Sequence, residues 1–309
     1  MKKIDFSKTK FRCHALGTLM TGQFGLTEKQ QEKFNALTLR KAAFYGGDAK
    51  SKLTDIMEAD LKELTIKKDQ KELSTTTKSK LIEIYNEIRF GRRKELKSKY
   101  IKKGLEVEED CRTLLTRIEF QKSLVVFKKN EERISNAWIS GEYDTYTGES
   151  VKNADEVIDH KAKWDLFSFS KVFDEPLNSD YVWQLNGYMW LSGAKKSRVS
   201  NALVDTPSAL VNDEKRRLLY EMGAISDENE EYLEACDKID REHSFDDIPL
   251  VEREFSVWVE RDESKIKALK ERIPLWRAFL VEYHIKRLNY GKTRKWESLE
   301  LITENLKNS

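Results

Sequence analysis

The residues best suited to chemistry lie in the middle of the sequence, where Asp144 is followed by Asp159 and Lys161. Asp159 and Lys161 are two positions apart, so on a β-strand their side chains share one face. Two carboxylates on neighbouring strands could hold Mg²⁺, which prefers oxygen ligands and activates a bound water molecule. The Lys161 ammonium could orient or deprotonate that water, or stabilise developing negative charge. This combination predicts hydrolysis of a phosphodiester bond; the alternative interpretation is an ordinary ion pair on a surface strand.

A third carboxylate and a main-chain oxygen extend this group. Glu108 lies on the predicted helix that precedes the strands, and the backbone carbonyl of His160 lies between Asp159 and Lys161. Arg112 follows Glu108 by four residues on the same helical face, where a solvated salt bridge is the alternative interpretation. The predicted catalytic residues are Glu108, Asp144, Asp159 and Lys161. The predicted metal ligands are Glu108, Asp144, Asp159 and the His160 carbonyl.

Three more side chains could contact a nucleic acid. Gln184 and Tyr188 are one helical turn apart and face the same side, and both can bond phosphate oxygens or bases. Lys163 shares the strand face of Asp159 and could touch the scissile phosphate. The alternative interpretations are a tyrosine that belongs to the core and a lysine that is merely solvated.

A mixed α/β core is needed to position these residues. Between residues 105 and 204 the pattern of apolar residues predicts a helix, three strands, a helix and a final strand. The apolar run Leu124–Phe127 is predicted to be a strand, and Lys128–Glu132 the turn that follows it. The first helix is predicted over residues 105–120, and it carries Glu108.

The length of 309 residues allows a large core with additions at both ends. Residues 1–100 are predicted to be mainly helical and to pack on the core. Residues 101–207 form the core itself, and residues 208–309 add helices and one strand to the same domain. A basic run from Arg92 to Lys103 precedes the predicted catalytic helix and either lines a DNA channel or is a solvated face.

Composition excludes several classes of protein. Three widely separated cysteines, Cys13, Cys111 and Cys236, argue against a disulfide framework, a four-cysteine iron–sulfur cluster and a zinc finger. No apolar run approaches the length of a membrane span, and the N-terminus lacks the apolar part of a secretory signal. We therefore expect a cytoplasmic protein that does not bind membranes. The net charge of +2 leaves nucleic-acid binding open, because local patches rather than totals decide it.

The order and spacing of these motifs resemble the PD-(D/E)xK nuclease superfamily, and more narrowly the phage-type exonucleases of the lambda exonuclease and YqaJ group. The residues that match the family's motifs are Gly104, Glu108, Arg112, Asp144, Asp159, Lys161, Gln184 and Tyr188. The segment Arg12–Gly17 resembles the family's segment that approaches the 5′ end of DNA. The resemblance therefore implies DNA-binding roles for Arg12, His14, Arg112, Gln184 and Tyr188, and the strand face adds Lys163 as a further candidate.

This resemblance implies a restriction-endonuclease-like core with large helical additions at both ends. It also implies a Mg²⁺-dependent exonuclease, with Mn²⁺ able to substitute, that digests linear duplex DNA from 5′ to 3′ in phage recombination. A single-strand annealing protein as partner and a ring-shaped homo-oligomer follow from the same resemblance, as does location in the host cytoplasm. An endonuclease or nickase on the same core, and a catalytically silent DNA-binding scaffold, are the alternatives.

One of the departures from the family pattern leaves the second-motif ligand open. The usual proline before the second-motif aspartate is absent, and the sequence there is Gly141-Glu142-Tyr143-Asp144. Either Glu142 or Asp144 could therefore be the ligand, and Asp144 is favoured.

Overall fold

Helices and two small sheets make up the described chain. The computed structural model describes residues 4–22, 25–26, 28–69, 71–94, 98–120, 124–223 and 229–293. The α-helices are α1 (Leu16–Leu19), α2 (Glu28–Tyr45), α3 (Asp55–Asp69), α4 (Thr75–Phe90), α5 (Lys99–Glu106), α6 (Glu108–Phe120), α7 (Leu166–Ser170), α8 (Ser179–Ser192), α9 (Ser208–Glu221), α10 (Glu230–His243) and α11 (Glu263–Thr293). The strands are β1 (Phe11–Arg12), β2 (Lys128–Lys129), β3 (Ile134–Ser135), β4 (Ile139–Gly141), β5 (Thr145–Ser150), β6 (Asn153–Ala162), β7 (Lys196–Ala202) and β8 (Glu254–Glu260). The predicted mixed α/β class is confirmed.

The larger sheet has the strand order β2-β5-β6-β7-β8. Its central pair, β6 and β7, is parallel, and the other pairs are antiparallel. Parallel strands need a long crossover connection, and here that connection contains α7 and α8. The sheet therefore has a mixed pattern, with the longest strand, β6, at its centre.

The register of β5 against β6 places the two aspartates side by side. Thr145, the first residue of β5, pairs with Ile158 of β6. Asp144 precedes Thr145 and Asp159 follows Ile158, so the two aspartates are opposite each other where the antiparallel pair continues. A one-residue slip would put them on different faces.

Helix α6 packs on this sheet through an apolar stripe. The buried cluster that joins them consists of Val107, Cys111, Leu114, Ile118, Ala202 and Val204. The single helix predicted over residues 105–120 is wrong, because α5 ends at Glu106 and Val107 has a non-helical backbone with φ −106° and ψ 15°. The break buries the Val107 side chain and leaves Glu108 at the first residue of α6.

Helix α8 has clear start and stop signals. The Asn178 side chain accepts a hydrogen bond from the backbone N–H of Asp180 at 2.9 Å, which caps the first turn. Gly193 ends the helix in the left-handed region, with φ 81°, where glycine avoids the steric penalty of a Cβ. Between these ends Gln184 and Tyr188 are buried, so the helix presents polar groups to the interior of the fold.

The smaller sheet has the order β1-β4-β3 and joins the N-terminal segment to the strand block. β1 runs parallel to β4, with Arg12 paired to Ser140. A Cβ on Gly141 would lie 2.7 Å from Cε1 of Tyr188 and 2.8 Å from Sγ of Cys13. Only glycine allows these two side chains to approach the strand so closely.

The described chain divides into two units. One comprises residues 8–17 and 93–273, which include both sheets, and the other comprises residues 1–7, 18–92 and 274–309. In the second unit a buried leucine cluster joins α2, α3 and the segment between them: Leu37, Leu53, Leu61 and Leu64. In the same unit the Tyr85 hydroxyl lies 3.1 Å from Nδ1 of His284, and Phe6 stacks on the Tyr85 ring.

No helix in the described ranges is both long enough and apolar enough to cross a membrane.

Candidate active site

The two aspartates form the centre of the site. Asp159 is 3% exposed, and Asp144 is held by a hydrogen bond from the backbone N–H of His160 to its Oδ2 at 2.7 Å. Burial, followed by the charge of Asp159, raises the pKa of Asp144 well above its ordinary value. Two neighbouring carboxylates in such a place repel each other, and a cation would relieve that repulsion.

Lys161 supplies one positive charge to this pair. Its Nζ lies 2.5 Å from Oδ2 of Asp159, as the two-residue period of a strand predicts. Burial alone would lower the pKa of Lys161, but the charges of Asp159 and Asp144 outweigh burial and raise that pKa above its ordinary value. The ammonium also lies 5.2 Å from the ring centroid of Tyr181 on α8, a cation–π distance.

Gln184 holds Asp159 from the helix side. Its Nε2 donates to Oδ1 of Asp159 at 2.9 Å and lies 3.0 Å from the Tyr188 hydroxyl oxygen, which accepts from it. Tyr188 is 4% exposed, and burial raises its pKa well above the ordinary value. Tyr188 therefore remains a neutral phenol that fixes the Gln184 amide, and its own surface faces the protein interior.

Glu142 and Asp144 have different environments, which separates the two candidates that the sequence left open. Glu142 is exposed, and its Oε2 accepts from Nη2 of Arg133 at 2.9 Å. Asp144 lies beside Asp159 and points at the backbone of β6. Of the two, Asp144 is the residue whose carboxylate joins the site.

Glu108 and Arg112 lie near the site on α6 but do not pair with each other. Arg112 forms a salt bridge with Glu109 and donates from Nη1 to the Phe127 carbonyl at 3.1 Å. The Glu108–Arg112 salt bridge weighed from the sequence is therefore replaced by a pair three residues apart. Glu108 adds its negative charge to those that raise the pKa of Asp144.

The His160 side chain lies on the face of β6 opposite to the face that carries the Lys161 side chain. Its Nε2 lies 3.1 Å from Oγ1 of Thr145, and burial lowers its pKa to about 3. The imidazole is therefore neutral at physiological pH and packs inside the protein. The main-chain N–H of His160 donates to the Asp144 carboxylate. A metal-ligand role for the His160 carbonyl stays a prediction.

Lys163 continues the strand face beyond Lys161. Its pKa is lowered by burial and then by the charge of Lys161. No acidic side chain among the described residues forms an ion pair with its Nζ, whereas its backbone N–H donates to Ala202 at 2.8 Å. A half-buried cation of this kind is suited to an anionic group from outside the chain.

The N-terminal segment with Arg12 and His14 lies in the same unit as the site. A Cβ on Gly187 of α8 would lie 3.0 Å from Sγ of Cys13, so this segment contacts the helix that carries Gln184. His14 is exposed, and Arg12 is half-buried on β1. Their predicted contacts with DNA stay predictions.

The donor set fits a hard divalent cation. Oδ2 of Asp159 is buried and has no aligned hydrogen-bond donor in the described part of the chain, although Lys161 is close to it. Carboxylate oxygens are the ligands that Mg²⁺ and Mn²⁺ prefer. The described residues contain no group of three or more acidic, histidine or cysteine side chains near enough to share a metal, so Glu108 is not assembled with the two aspartates.

Tyr181 is a site residue that the sequence analysis missed. It lies three residues before Gln184 on α8, so both can face the same strand. This three-residue spacing from Gln184 is the feature of the sequence that could have indicated Tyr181. A tyrosine in the first turn of a helix has many structural roles, and only the Lys161 contact distinguishes this one.

Comparison with known proteins gives structural matches. No protein-family model and no curated protein matches this sequence. A phage-related exonuclease from Haemophilus somnus 129PT superposes with a TM-score of 0.57 and 23% identity, covering 88% of this chain and 94% of that chain. An alkaline exonuclease from Laribacter hongkongensis, LHK-Exo, has a TM-score of 0.46 and 13% identity, covering 72% of this chain and 87% of that chain. Its complex with dAMP has a TM-score of 0.46 and 14% identity over the same shares.

The Haemophilus somnus match shows that this chain has the fold of that exonuclease. The resemblance to phage-type exonucleases, predicted from the motifs, is confirmed at the level of the fold.

Proposed function

We propose that this protein is a metal-dependent DNA exonuclease that hydrolyses linear double-stranded DNA from the 5′ end toward the 3′ end. The observation that carries the proposal is the assembly of Asp144, Asp159 and Lys161 on adjacent strands, with Gln184 bonded to Asp159. A fold shared with a phage-related exonuclease supports it. The core is proposed to be restriction-endonuclease-like and to span residues 101–207.

The two aspartates are proposed to hold Mg²⁺, or Mn²⁺ in its place. Glu108, whose charge acts on Asp144 although its side chain is not grouped with the two aspartates, and the His160 carbonyl are proposed as the remaining ligands from the protein. When bound, the cation neutralises charge on the phosphate and lowers the pKa of a water molecule. Gln184 keeps the Asp159 carboxylate in one orientation, because its amide donates to Oδ1 and leaves Oδ2 facing the site.

Hydrolysis requires a water oxygen to bond to phosphorus while the bond from phosphorus to the 3′ oxygen breaks. One water proton ends on the departing 3′ oxygen, so the products are a 5′-phosphate and a 3′-hydroxyl. The Lys161 ammonium lies where it can stabilise the extra negative charge of the transition state. Tyr181 and Asp159 hold that ammonium from two sides.

The remaining assignments concern the bound DNA and its context. Arg12, His14, Arg112 and Lys163 are proposed to contact phosphates, and the buried Gln184 and Tyr188 to act on the DNA through the Asp159 carboxylate that they hold. The proposal also includes a role in phage recombination beside a single-strand annealing protein. It includes assembly of the chain into a homo-oligomeric ring. Lys163 is the strongest of the phosphate candidates, because it is half-buried on the same strand face as Lys161.

The test compares digestion of linear duplex and covalently closed circular DNA in the presence of Mg²⁺. The wild type should degrade the linear duplex and spare the circle. Asp159→Asn and Lys161→Met should each lose about 10²-fold or more of the rate, since removal of one charge-stabilising group commonly has an effect of that size. Glu142→Gln is the matched control, because this carboxylate pairs with Arg133 outside the site.

Other outcomes would redirect the assignment. Cutting of the closed circle would indicate an endonuclease or nickase on the same core. Full activity in both site variants would contradict the assigned residues. Binding of DNA with no cleavage under any metal would indicate a silent scaffold. Duplexes labelled at the 5′ or the 3′ end would establish polarity.

A further inference from the structure

A cavity lies between the start of α5 and one face of α9. Its volume is about 250 Å³, and it is lined by Ser98, Lys99, Lys102, Leu210, Asp213 and Arg217. All of these residues belong to the unit that contains both sheets. The volume exceeds that of a phosphate group, so an anion with part of its attached ligand would fit.

The charge of this cavity is positive and partly unneutralised. The Asp213 carboxylate is engaged by Arg216 at 2.5 Å, and Lys99 forms a salt bridge with Glu214. Lys102 and Arg217 have no acidic partner within the described ranges, and Arg217 has only a 3.4 Å bond from Nε to a main-chain carbonyl. Lys102 and Arg217 are exposed cations that line the same space, and the one carboxylate that lines it with them, Asp213, is already paired with Arg216, so an anion could bind there.

The start of α5 adds neutral donors to the same space. Ser98 caps the helix, and its Oγ accepts from the backbone N–H of Tyr100 at 3.2 Å. The free N–H groups of the first turn and the positive end of the helix dipole favour an anion there. The N-terminal end of α5, at Ser98 and Lys99, therefore lies beside the cations that line the cavity.

Trp164 connects this cavity to the catalytic strand. Nζ of Lys99 lies 4.4 Å from the Trp164 ring centroid, and Lys103 donates from Nζ to the Trp164 carbonyl at 3.2 Å. Trp164 follows the end of β6, the strand that carries Asp159, so these two contacts join α5 to the segment after that strand.

We propose that this cavity binds a backbone phosphate of the DNA. The inference rests on the proposed nuclease function, which it extends by a second contact point. Lys102 and Arg217 bind the phosphate oxygens, Lys99 adds charge, and the first turn of α5 supplies N–H donors. A free phosphate or nucleotide shares this chemistry, and the experiment separates the two sources.

The experiment measures duplex binding without cleavage. A fluorescein-labelled blunt duplex is titrated with the full chain in EDTA, and anisotropy is recorded from 50 to 300 mM NaCl. In the double variant Lys102→Gln/Arg217→Gln, the slope of log affinity against log salt should be shallower than that of the wild type by about 1.8, which corresponds to two lost phosphate contacts. The affinity at 150 mM NaCl should fall roughly 10- to 30-fold on the same basis.

The matched control is Lys195→Gln/Lys238→Gln, which removes the same charge from exposed side chains of the same unit. Its slope should remain within a few tenths of the wild-type value. Circular dichroism of both double variants tests whether each is folded. If the cavity variant keeps the wild-type slope, or if the control loses as much slope, the assignment is overturned.

A second arm adds inorganic phosphate at constant ionic strength and follows its binding by calorimetry. Phosphate bound by the wild type and not by the cavity variant, together with an unchanged duplex slope, would overturn the assignment to DNA and give the cavity to a free phosphate. Loss of phosphate binding together with a shallower duplex slope in the cavity variant would support the DNA assignment. A wild type that binds no duplex in EDTA would overturn this assignment alone, because the nuclease proposal is tested separately by digestion of linear duplex in Mg²⁺.

Discussion

The Nε2 atom of Gln184 donates to Oδ1 of Asp159 across 2.9 Å, so a helix side chain fixes the orientation of a strand carboxylate. Replacement of Gln184 by Ala should lower kcat for duplex digestion by about 10- to 100-fold, the usual effect of losing a residue that orients a metal ligand. Tyr188→Phe should have a smaller effect, because the amide keeps its bond to Asp159. The affinity for Mg²⁺, measured from the metal dependence of the rate, should weaken in parallel. Unchanged kinetics in Gln184→Ala would contradict the positioning role.

Tyr181 should matter to catalysis through its ring and not through its hydroxyl. Lys161 lies 5.2 Å from the ring centroid, and a desolvated cation–π contact contributes about 1–2 kcal/mol. Tyr181→Leu should therefore lower kcat by about 5- to 30-fold with little change in KM. Tyr181→Phe keeps the ring and should restore most of the rate. Equal losses in the two variants would show that the hydroxyl or the packing is responsible.

Lys103 should make stability depend on pH. It is 1% exposed, and burial lowers its pKa from 10.5 to about 8. Between those values the unfolded chain binds the proton and the folded chain does not, so stability rises as pH increases from about 8 to about 10.5 and is lowest below that window. The linkage contributes about 3 kcal/mol across it.

The measurement is the difference in unfolding free energy between wild type and Lys103→Met at several pH values. The variant should be the more stable at pH 7, and the difference should shrink as pH rises toward 10. Titrations common to both proteins cancel in this difference. A difference that does not vary with pH would contradict a shifted lysine.

Gly141 should tolerate no side chain. A Cβ there would lie 2.7 Å from Cε1 of Tyr188 and 2.8 Å from Sγ of Cys13. Gly141→Ala should lower the unfolding free energy by about 1–3 kcal/mol, as overpacking does. Gly104→Ala is the control, because nothing lies within 4 Å of its Cβ position and alanine should stabilise α5 by about 0.5–1 kcal/mol. Chemical denaturation of both variants gives the comparison, and equal stabilities would contradict the close packing.

The strand period explains why the centre of the site was predictable. The position of Asp159 and Lys161 on one face follows from the two-residue alternation of a strand, and the position of Gln184 follows from an apolar helix with a capped start.

The apolar run Leu124–Phe127 was predicted wrongly as a strand. Leu124 is 84% exposed, and the strand is formed instead by Lys128–Lys129, which pairs with β5. Pairing with a distant backbone decides such a short strand, and periodicity carries no information about it.

The charge pairs around α6 show a second limit. A four-residue spacing favours a salt bridge between Glu108 and Arg112. Arg112 instead pairs with Glu109, because Glu108 is the first residue of the helix that begins after the break at Val107. The position of that break depends on burial of Val107 against β7 and its neighbours, a tertiary contact that helix propensity does not encode.

The parallel pairing of β6 with β7 has a consequence for the order of folding. These strands cannot form a local hairpin, so their contact must wait until the chain from Lys163 to Lys195 has crossed the sheet. That crossover contains α8, which brings Gln184 to Asp159. The Gln184–Asp159 contact is therefore completed only when this non-local pairing closes, and a chain that has not yet paired β6 with β7 lacks it.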